Sequence, residues 1–291
     1  MPISTAAAGR NLPPSERRIT VRDALAYAAG IGDTCESVFD DARGGGIAAP
    51  PSYCVSLEWP VVSNGRGSQL LGGEADELVR GVHASQDSHF HRPMRPGDSL
   101  TTRGRYAAVR ATRAGALLTT CLETVDGDGR PVVTSWSRSI FRGVATEGRS
   151  ARIEQAPEVP RLRLNGAGSN RAEIFVPREM PHVYTECARI WNPIHTEREV
   201  ALRAGLPDII LHGTATWALA GREVLRAYGD GDPLRLRRLY GRFTAMVIPG
   251  TRIVVEHASA GTTNGGGRQV AFRVWNEEGA EAVSQGVAVV D

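Results

Sequence analysis

The sequence lacks the features of a disulfide-linked, zinc-binding or membrane-spanning protein. Its four cysteines, Cys35, Cys54, Cys121 and Cys187, form no CxxC pair and have no metal-like spacing with histidines. This pattern favours reduced thiols in a reducing compartment and argues against a zinc site. No window approaches the uninterrupted apolar length of a spanning helix, and Met1–Pro14 has no signal-peptide pattern. We therefore expect no membrane partner.

The chain also lacks a strong charge of either sign. Its formal net charge is only +2, and its arginines are scattered between acidic residues. No electrostatic footprint for a polyanion stands out, so nucleic acid is not an expected partner. The final residues, Val289-Val290-Asp291, are not a peroxisomal Ser-Lys-Leu signal. The sequence thus predicts a cytoplasmic protein.

What is present is an ordinary globular composition arranged in two similar halves. Hydrophobic residues make up 41% of the 291 residues and charged residues 23%, which is enough apolar surface for sizeable cores. The region between Ala145 and Asn170 is rich in Gly, Arg, Glu and Pro and is typical of a linker. The predicted divisions are a tail at 1–18, a first unit at 19–145, a linker at 146–170 and a second unit at 171–291.

Each half carries the same order of Pro-Gly, strand, turn, strand, turn, strand. Alternating polar and apolar runs separated by glycine-rich turns predict antiparallel meanders. The predicted strands are residues 100–109, 116–125 and 132–141 in the first half, and 252–257, 270–275 and 282–290 in the second. This shared order favours duplication of one structural unit.

Helical sequence precedes the strands in both halves. Thr20–Tyr27 has apolar residues at helical spacing. Thr196–Glu199 reads as a capping box, which predicts a short helix from about Glu197 to Ala204. Gly213–Tyr228 is dense in Ala and Leu, contains no proline and is followed by Gly229, which predicts the best long helix of the chain.

The stretch around this long helix resembles a known enzyme signature. Tyr184–His195, which ends in Asn-Pro-Ile-His, is followed by Leu211-His-Gly213. Together they resemble the hydratase signature of MaoC-like (R)-specific enoyl-CoA hydratases. Val82–Asp87 and His91–Asp98 resemble the amino-terminal half of the two-hotdog members, so the likeness touches most of the chain.

The resemblance implies a fold and a substrate class. The implied fold is α+β, a double hotdog with two antiparallel sheets, each wrapped around a long helix. The implied partner is an acyl-CoA thioester, with no cofactor and no metal. The sequence does not decide between coenzyme A and acyl carrier protein, or between a monomer and a homodimer.

The residues of the signature suit the addition of water to an unsaturated thioester. That reaction needs a base for the water, an acid for the α carbon and donors for the enolate-like oxygen. His195 titrates near neutrality and suits the proton transfers, while Asn192 can hold the water or orient the ring. Gly213 opens the long helix, where its amide lacks an intrahelical partner. In the resembled family, residues at these positions line the water site and supply the oxyanion donor.

One departure from the family pattern removes an expected carboxylate. Where the family has Gly-Asp, this chain has Arg189-Ile190, and Ile190 can neither accept a proton nor bind water. Either another carboxylate substitutes, or His195 acts alone, or catalysis is lost. The candidate substitutes are Asp208, Glu186 and Asp87, of which Asp208 is preferred because its loop leads to Gly213.

Several of these residues also have purely structural interpretations. His195 can be a packed histidine before a helix, Asn192-Pro193 can be a turn, and Gly213 can permit tight packing. His212 is expected to be structural. Trp217 is expected in the core and Trp191 in a pocket wall.

Two further groups of residues have the composition of ligand-binding sites. Arg238 and Arg242, together with Arg237, suit the phosphates of coenzyme A because guanidinium groups match phosphate geometry; solvated surface charge is the alternative. The histidines and Asp87 between positions 83 and 91 resemble a metal cluster, but an extended segment gives them no defined ligand geometry, so no metal is expected there.

Three functions follow from these residues. The first is a hydro-lyase that reversibly hydrates a 2-enoyl-CoA, with His195, Asn192 and Gly213 in the roles above and Asp208 as the added carboxylate. The second is an acyl-CoA thioesterase, since an oxyanion donor serves acyl transfer equally well. The third is a non-catalytic acyl-thioester binder, for which Ile190 is the motivation.

Overall fold

The computed structural model describes residues 2–67, 69–78, 80–164 and 168–291, and these form seven α-helices and thirteen β-strands. The helices are α1 (Val21–Gly30), α2 (Glu36–Phe39), α3 (Cys54–Gly67), α4 (Ala75–Leu78), α5 (Met180–Ala188), α6 (Arg198–Arg203) and α7 (Gly213–Tyr228). The strands are β1 (Ile3–Ser4), β2 (Asn11–Arg18), β3 (Gly81–Phe90), β4 (Ser99–Thr112), β5 (Gly115–Val125), β6 (Pro131–Arg142), β7 (Thr146–Glu147), β8 (Ala151–Arg152), β9 (Asn170–Val176), β10 (Leu236–Phe243), β11 (Thr251–Thr262), β12 (Arg268–Trp275) and β13 (Glu281–Val290).

The chain divides into two compact units that interleave along the sequence. The first unit contains the residues up to Arg17 together with Leu57–His91 and Ser99–Val159. The second unit contains Arg18–Ser56, Arg92–Asp98 and Pro160–Asp291. The chain therefore passes between the units more often than the divisions at 18/19, 145/146 and 170/171 allow, because helix α1 and the Pro-Gly segment before β4 pack with the second unit.

In the first unit, a sheet with the strand order β2-β4-β5-β6-β3 packs against helix α3. The pairs β4–β5, β5–β6 and β3–β6 are antiparallel, as the predicted meander requires. Val61 of α3 is wholly buried in one cluster with Leu118 and Leu122 of β5 and Phe141 of β6. Each such side chain contributes about 1.5–3 kcal/mol on burial, so this cluster holds the helix on the sheet.

In the second unit, a sheet with the order β10-β13-β12-β11-β9 packs against helix α7. All four pairs are antiparallel. Trp217 of α7 is wholly buried, as expected for a core residue. Gly221 lets the helix approach the sheet closely, since a Cβ there would lie 2.7 Å from a methyl group of Leu239. Both sheets thus have the helix-on-sheet form of a hotdog unit, and the α+β double hotdog prediction is confirmed.

Three features of the described residues were not expected from the sequence. Helix α3 was not predicted, because Pro60 lies inside it and the run is otherwise rich in small and polar residues. Strands β1 and β2 lie within the predicted tail at 1–18. The predicted linker holds β7 and β8, which pair with β1 and β4; its residues 165–167 lie outside the described residues.

The predicted capping box before α6 is also wrong. The N-cap of α6 is Glu197 and makes no side-chain bond, and the hydroxyl of Thr196 has no hydrogen-bond partner among the described residues. The cause is the preceding turn, because the Glu197 amide bonds to the Pro193 carbonyl at 2.7 Å and delays the helix start. A true capping box forms instead at α1, where Thr20 and Asp23 bond reciprocally.

Candidate functional site

Helix α5 ends at a residue with a left-handed backbone, and this turns the chain into the signature segment. Arg189 has φ 53°, and the Ile190 amide bonds back to the Thr185 carbonyl at 3.1 Å. The Arg189 guanidinium lies 2.8 Å from the buried carboxylate of Asp23 on α1. An arginine in this conformation costs some strain, so the ion pair helps to fix the end of the helix.

Ile190, which stands at the position of the expected carboxylate, and its neighbour Trp191 differ in exposure. Ile190 is 5% exposed, whereas Trp191 is 62% exposed. Trp191 thus lies outside the core, and its place in a pocket wall stays a prediction. Ile190 is part of the apolar interior and offers no proton acceptor.

Asn192 begins a short 3-10 turn that carries His195. Its backbone is extended, and its side-chain oxygen accepts a hydrogen bond from the Ile194 amide at 3.4 Å. Pro193 occupies the first position of the turn, where its missing N–H costs nothing. The capping bond uses the amide oxygen, so the NH₂ group is what Asn192 can offer to a bound water.

The tautomer of His195 follows from its hydrogen bond. The Nδ1 atom lies 2.8 Å from the carbonyl oxygen of Ile210. Because a carbonyl only accepts, Nδ1 carries the proton, and Nε2 of the neutral ring keeps its lone pair. Burial lowers the pKa of His195 to about 4, although the bond to Ile210 opposes this shift in part. At neutral pH the ring is therefore an uncharged base.

A second imidazole lies directly against the first. The rings of His195 and His212 stack with centroids 3.7 Å apart and planes inclined by 25°. His212 is 2% exposed, and its Nε2 contacts the Thr185 hydroxyl at 3.2 Å. Burial lowers the pKa of His212 well below its usual range and His195 lowers it further, while the backbone of Ile190 opposes the shift. Two neutral rings can stack without charge repulsion.

This stack places His195 beside the start of the long helix. His212 is the N-cap of α7, and Gly213 is the first helical residue. The first amides of a helix have no intrahelical acceptor and carry the positive end of its dipole. A Cβ on Gly213 would lie 3.1 Å from the ring of Phe243, so a side chain here would press on β10. The arrangement joins a neutral base to donors that can stabilise a developing oxyanion.

Asp208 lies in a partly exposed loop before α7. The Asp208 carboxylate is 42% exposed, pairs with Arg198 at 3.2 Å and accepts from its neighbouring Ile209 amide. The Nδ1 partner of His195 is a backbone carbonyl and not a carboxylate. A catalytic role for Asp208 therefore stays a prediction. The hydrogen bond that fixes the His195 ring does not involve Asp208.

Arg238 and Arg242 lie on the face of β10 that points away from α7. Leu239, Gly241 and Phe243 of the same strand face that helix, so alternation turns the arginines to the other side. Arg242 is exposed and Arg238 half-buried. A phosphate-binding role for them stays a prediction.

The histidine-rich strand of the first unit contains internal contacts. Asp87 lies 3.3 Å from His89, and His83 contacts Ser137 at 3.1 Å. Among the described residues, no group of three or more His, Cys, Asp or Glu side chains is placed to hold a metal ion. Within the residues that the structure describes, no helix is long and apolar enough to cross a membrane.

Two family models match separate parts of the chain. Residues 172–281 match the MaoC like domain, and residues 6–135 match the FAS1-like dehydratase domain region. The first match contains the whole of the segment that carries His195, His212 and Gly213. Residues 172–281 of the chain therefore form a MaoC-like domain. The prediction drawn from the Asn-Pro-Ile-His and Leu-His-Gly motifs is thereby confirmed.

Relatives and solved structures agree with the MaoC-like assignment. The chain is 24% identical to "Probable enoyl-CoA hydratase 2" of Dictyostelium discoideum, with 96% of this chain and 94% of that protein covered. It is 26% identical to "Enoyl-CoA hydratase 2, peroxisomal" of Arabidopsis thaliana, covering 84% and 83%. The structure of a MaoC-like dehydratase from Phytophthora capsici superposes with a TM-score of 0.82 at 23% identity, covering 98% of both chains. A Mycobacterium tuberculosis protein described as a double hotdog gives 0.64 at 15%, covering 97% and 95%. The structural likenesses establish the fold.

Sequence reasoning missed the partners that shape this MaoC-like site. The contacts of His212 with His195 and with Thr185 of α5 were not predicted, nor was the position of Tyr184 near Thr214. The partners of each contact are separated along the chain, so no local pattern predicts that they meet. Only the phase of Tyr184 and Thr185 on an amphipathic α5 could have indicated that they face inward.

The neutral state of His195 makes protein stability depend on pH. An unfolded histidine titrates near 6.5, whereas folded His195 does so at about 4. Between these values the unfolded chain binds more protons, so stability should fall as the pH falls from about 6.5 towards 4. One proton corresponds to a slope of about 1.4 kcal/mol per pH unit. Denaturant unfolding at several pH values should show that His195→Asn reduces this slope by roughly one proton. An unchanged slope would mean that folded His195 is not neutral in this range.

Proposed function

We propose that the protein is a hydro-lyase that reversibly adds water across the 2,3 double bond of a 2-enoyl-CoA thioester. The observation that carries this proposal is the neutral His195 ring, with Nδ1 fixed by Ile210, stacked beside the helix start at Gly213. The relatives in Dictyostelium and Arabidopsis, which match most of the chain, are both named enoyl-CoA hydratase 2. Their names support the same substrate class for this chain.

The proposed reaction uses one side chain for both proton transfers. Nε2 of His195 takes a proton from a water held by Asn192 while the water oxygen bonds to C3 of the substrate. The electrons of the double bond move towards the thioester oxygen, which accepts a hydrogen bond from the Gly213 amide. The imidazolium then returns its proton to C2. Since burial makes this imidazolium acidic, return of its proton to C2 is favourable, and Asp208 is the carboxylate proposed to assist the proton transfers.

The test is a substrate panel with the purified chain. Short, branched and long 2-enoyl-CoA thioesters are incubated with the protein, and the formation of 3-hydroxyacyl-CoA is followed by mass spectrometry. Hydration of at least one member is the expected result. Release of free coenzyme A from saturated acyl-CoA would instead favour a thioesterase. Tight thioester binding without any product would favour the non-catalytic binder.

Three finer expectations belong to the same proposal. Coenzyme A is proposed as the thioester carrier, with Arg238 and Arg242 as ligands of its phosphates. A homodimer is proposed as the assembly to test against the monomer by sedimentation. The cytoplasm is proposed as the compartment.

The pH dependence of the rate should reflect the lowered pKa of His195. The base form predominates above a pH of about 4, so kcat/KM should stay level from pH 8 down to about 5. A histidine of ordinary pKa would instead lose activity below about pH 6.5. The measurement is kcat/KM against pH on a short enoyl-CoA, with circular dichroism at each pH to verify the fold. An acid limb near 6.5 would contradict an uncharged, buried His195.

A further inference from the structure

The first turn of helix α7 carries a hydroxyl that the signature motif does not assign. Thr214 directly follows Gly213 and is half-buried. We propose that the Thr214 hydroxyl is a second hydrogen-bond donor to the thioester oxygen of the substrate, and that Tyr184 is its positioning residue. This inference rests on the proposed function, because it adds a donor to the same oxyanion site.

The first step of the argument is the contact between the two side chains. The Tyr184 hydroxyl donates to the Thr214 hydroxyl oxygen at 3.2 Å. Tyr184 is wholly buried on α5, and burial raises its pKa to about 12, so the phenol stays protonated at every working pH. Tyr184 is therefore a permanent donor to Thr214.

The position of Tyr184 is itself fixed by neighbouring aromatic residues. Its hydroxyl lies 3.3 Å from the hydroxyl of Tyr27, which donates to the Ser52 carbonyl at 2.8 Å. The two phenol rings are 5.9 Å apart, and the ring of Tyr53 packs edge-on against Tyr27 at 5.4 Å. A buried phenol held between aromatic neighbours loses little rotamer freedom when a ligand binds. The Tyr184 phenol is thus preorganised by packing.

The direction of the Tyr184 bond decides what Thr214 can do. Thr214 uses an oxygen lone pair to accept from Tyr184, so its own proton remains for another acceptor. A hydroxyl that already accepts a hydrogen bond is polarised and becomes a better donor. Next to the Gly213 amide, this proton can reach the same oxyanion that the helix start stabilises.

Helix α7 contains an internal comparison for this role. Thr216, two residues further on, is 2% exposed and donates its hydroxyl to the His212 carbonyl at 3.3 Å. That bond is the usual back-bonding of a helical threonine. Thr216→Val is therefore a matched control. It removes a hydroxyl from the same helix, but one that donates to a backbone carbonyl.

The first experiment measures kcat and KM for a short 2-enoyl-CoA in four single variants and one double variant. Thr214→Val should lower kcat by about 10–100-fold with a smaller change in KM, because the lost bond is strongest in the transition state. Thr214→Ser should stay within about threefold of the parent protein, as should Thr216→Val. Tyr184→Phe should lower kcat by about threefold to tenfold, and the double variant with Thr214→Val should be no slower than Thr214→Val alone, since Tyr184 acts through Thr214.

The second experiment does not depend on turnover. Butyryl-CoA labelled with ¹³C at the thioester carbonyl is bound to each variant, and the carbonyl stretch is recorded by difference infrared spectroscopy. A donor to this oxygen lowers the stretching frequency, so the shift should be present in the parent protein, Thr214→Ser and Thr216→Val and reduced in Thr214→Val. Unfolding curves verify that all variants are folded.

The outcomes separate this inference from the proposed function. Turnover by the parent protein with an equally fast Thr214→Val variant would overturn the inference and leave hydration intact. A Thr214→Ser variant as slow as Thr214→Val would also overturn it, because a serine retains the donor. If no panel substrate turns over, the proposed function fails, and the infrared shift alone decides whether Thr214 binds the thioester oxygen.

Discussion

Replacement of His195 by asparagine is expected to lower kcat/KM for enoyl-CoA hydration by about 10³-fold. The physical reason is that Nε2 is the base for the water and the acid for C2, so its loss removes both proton transfers. Asparagine is the most specific substitution, because its NH₂ group can still donate to the Ile210 carbonyl, which accepts from Nδ1 in the parent protein. The structural bond is kept while the base is lost. Initial rates of 3-hydroxyacyl-CoA formation measure the effect.

An exposed histidine of the first unit provides the matched control. His91 lies in the first unit, and its Nε2 contacts the Thr134 hydroxyl at 3.0 Å. His91→Asn should leave kcat/KM within about twofold of the parent protein, as is usual for an exposed residue. An active, folded His195→Asn variant would show that another group performs the proton transfers.

A methyl group on Gly213 is expected to lower kcat by about 100-fold. The added Cβ would lie 3.1–3.4 Å from three ring atoms of Phe243, so either the ring or the helix start must shift. A displacement of the first amides of α7 misaligns the oxyanion donor, and small misplacements carry large kinetic costs. Overpacking should also lower stability by about 1–3 kcal/mol. Steady-state kinetics and denaturant unfolding measure the two effects separately.

Gly221→Ala is the control for overpacking without catalytic damage. Gly221 lies on the same helix about two turns further along, and a Cβ there would press on Leu239 of the same strand at 2.7 Å. This variant should lose stability and keep its kcat. The double variant Gly213→Ala with Phe243→Leu should regain part of the lost rate, because a smaller side chain relieves the contact. Equal losses of kcat in the Gly213 and Gly221 variants would contradict an oxyanion role for Gly213.

The fold could be predicted where local pattern and tertiary structure agree. The bounds of α7 match the prediction, because the Ala-rich run and Gly229 mark both of its ends. The meander β4–β5–β6 was likewise predicted from the alternation of polar and apolar residues and from the glycine-rich turns. Helix α3 was missed because local propensity opposes it at Pro60, and its stability comes from packing of residues such as Val61 in the core.

The candidate site could be predicted only as far as its contiguous motifs reach. His195, Asn192 and Gly213 are marked by the spacing of Asn-Pro-Ile-His and Leu-His-Gly. The tautomer of His195 depends on the Ile210 carbonyl, and the Thr214 donor depends on Tyr184 of α5. Those contacts are set by tertiary packing, and no spacing along the chain encodes them.

The central claim concerns the state of one ring, an uncharged His195 whose Nε2 lone pair is open to a water. The most direct measurement is the ¹⁵N chemical shift of both ring nitrogens of His195, assigned by comparison with His195→Asn, in protein labelled at histidine and held at pH 7. The account predicts a neutral ring with the proton on Nδ1 and an unprotonated Nε2. A charged ring, or a proton on Nε2 with Nδ1 bare, would contradict it.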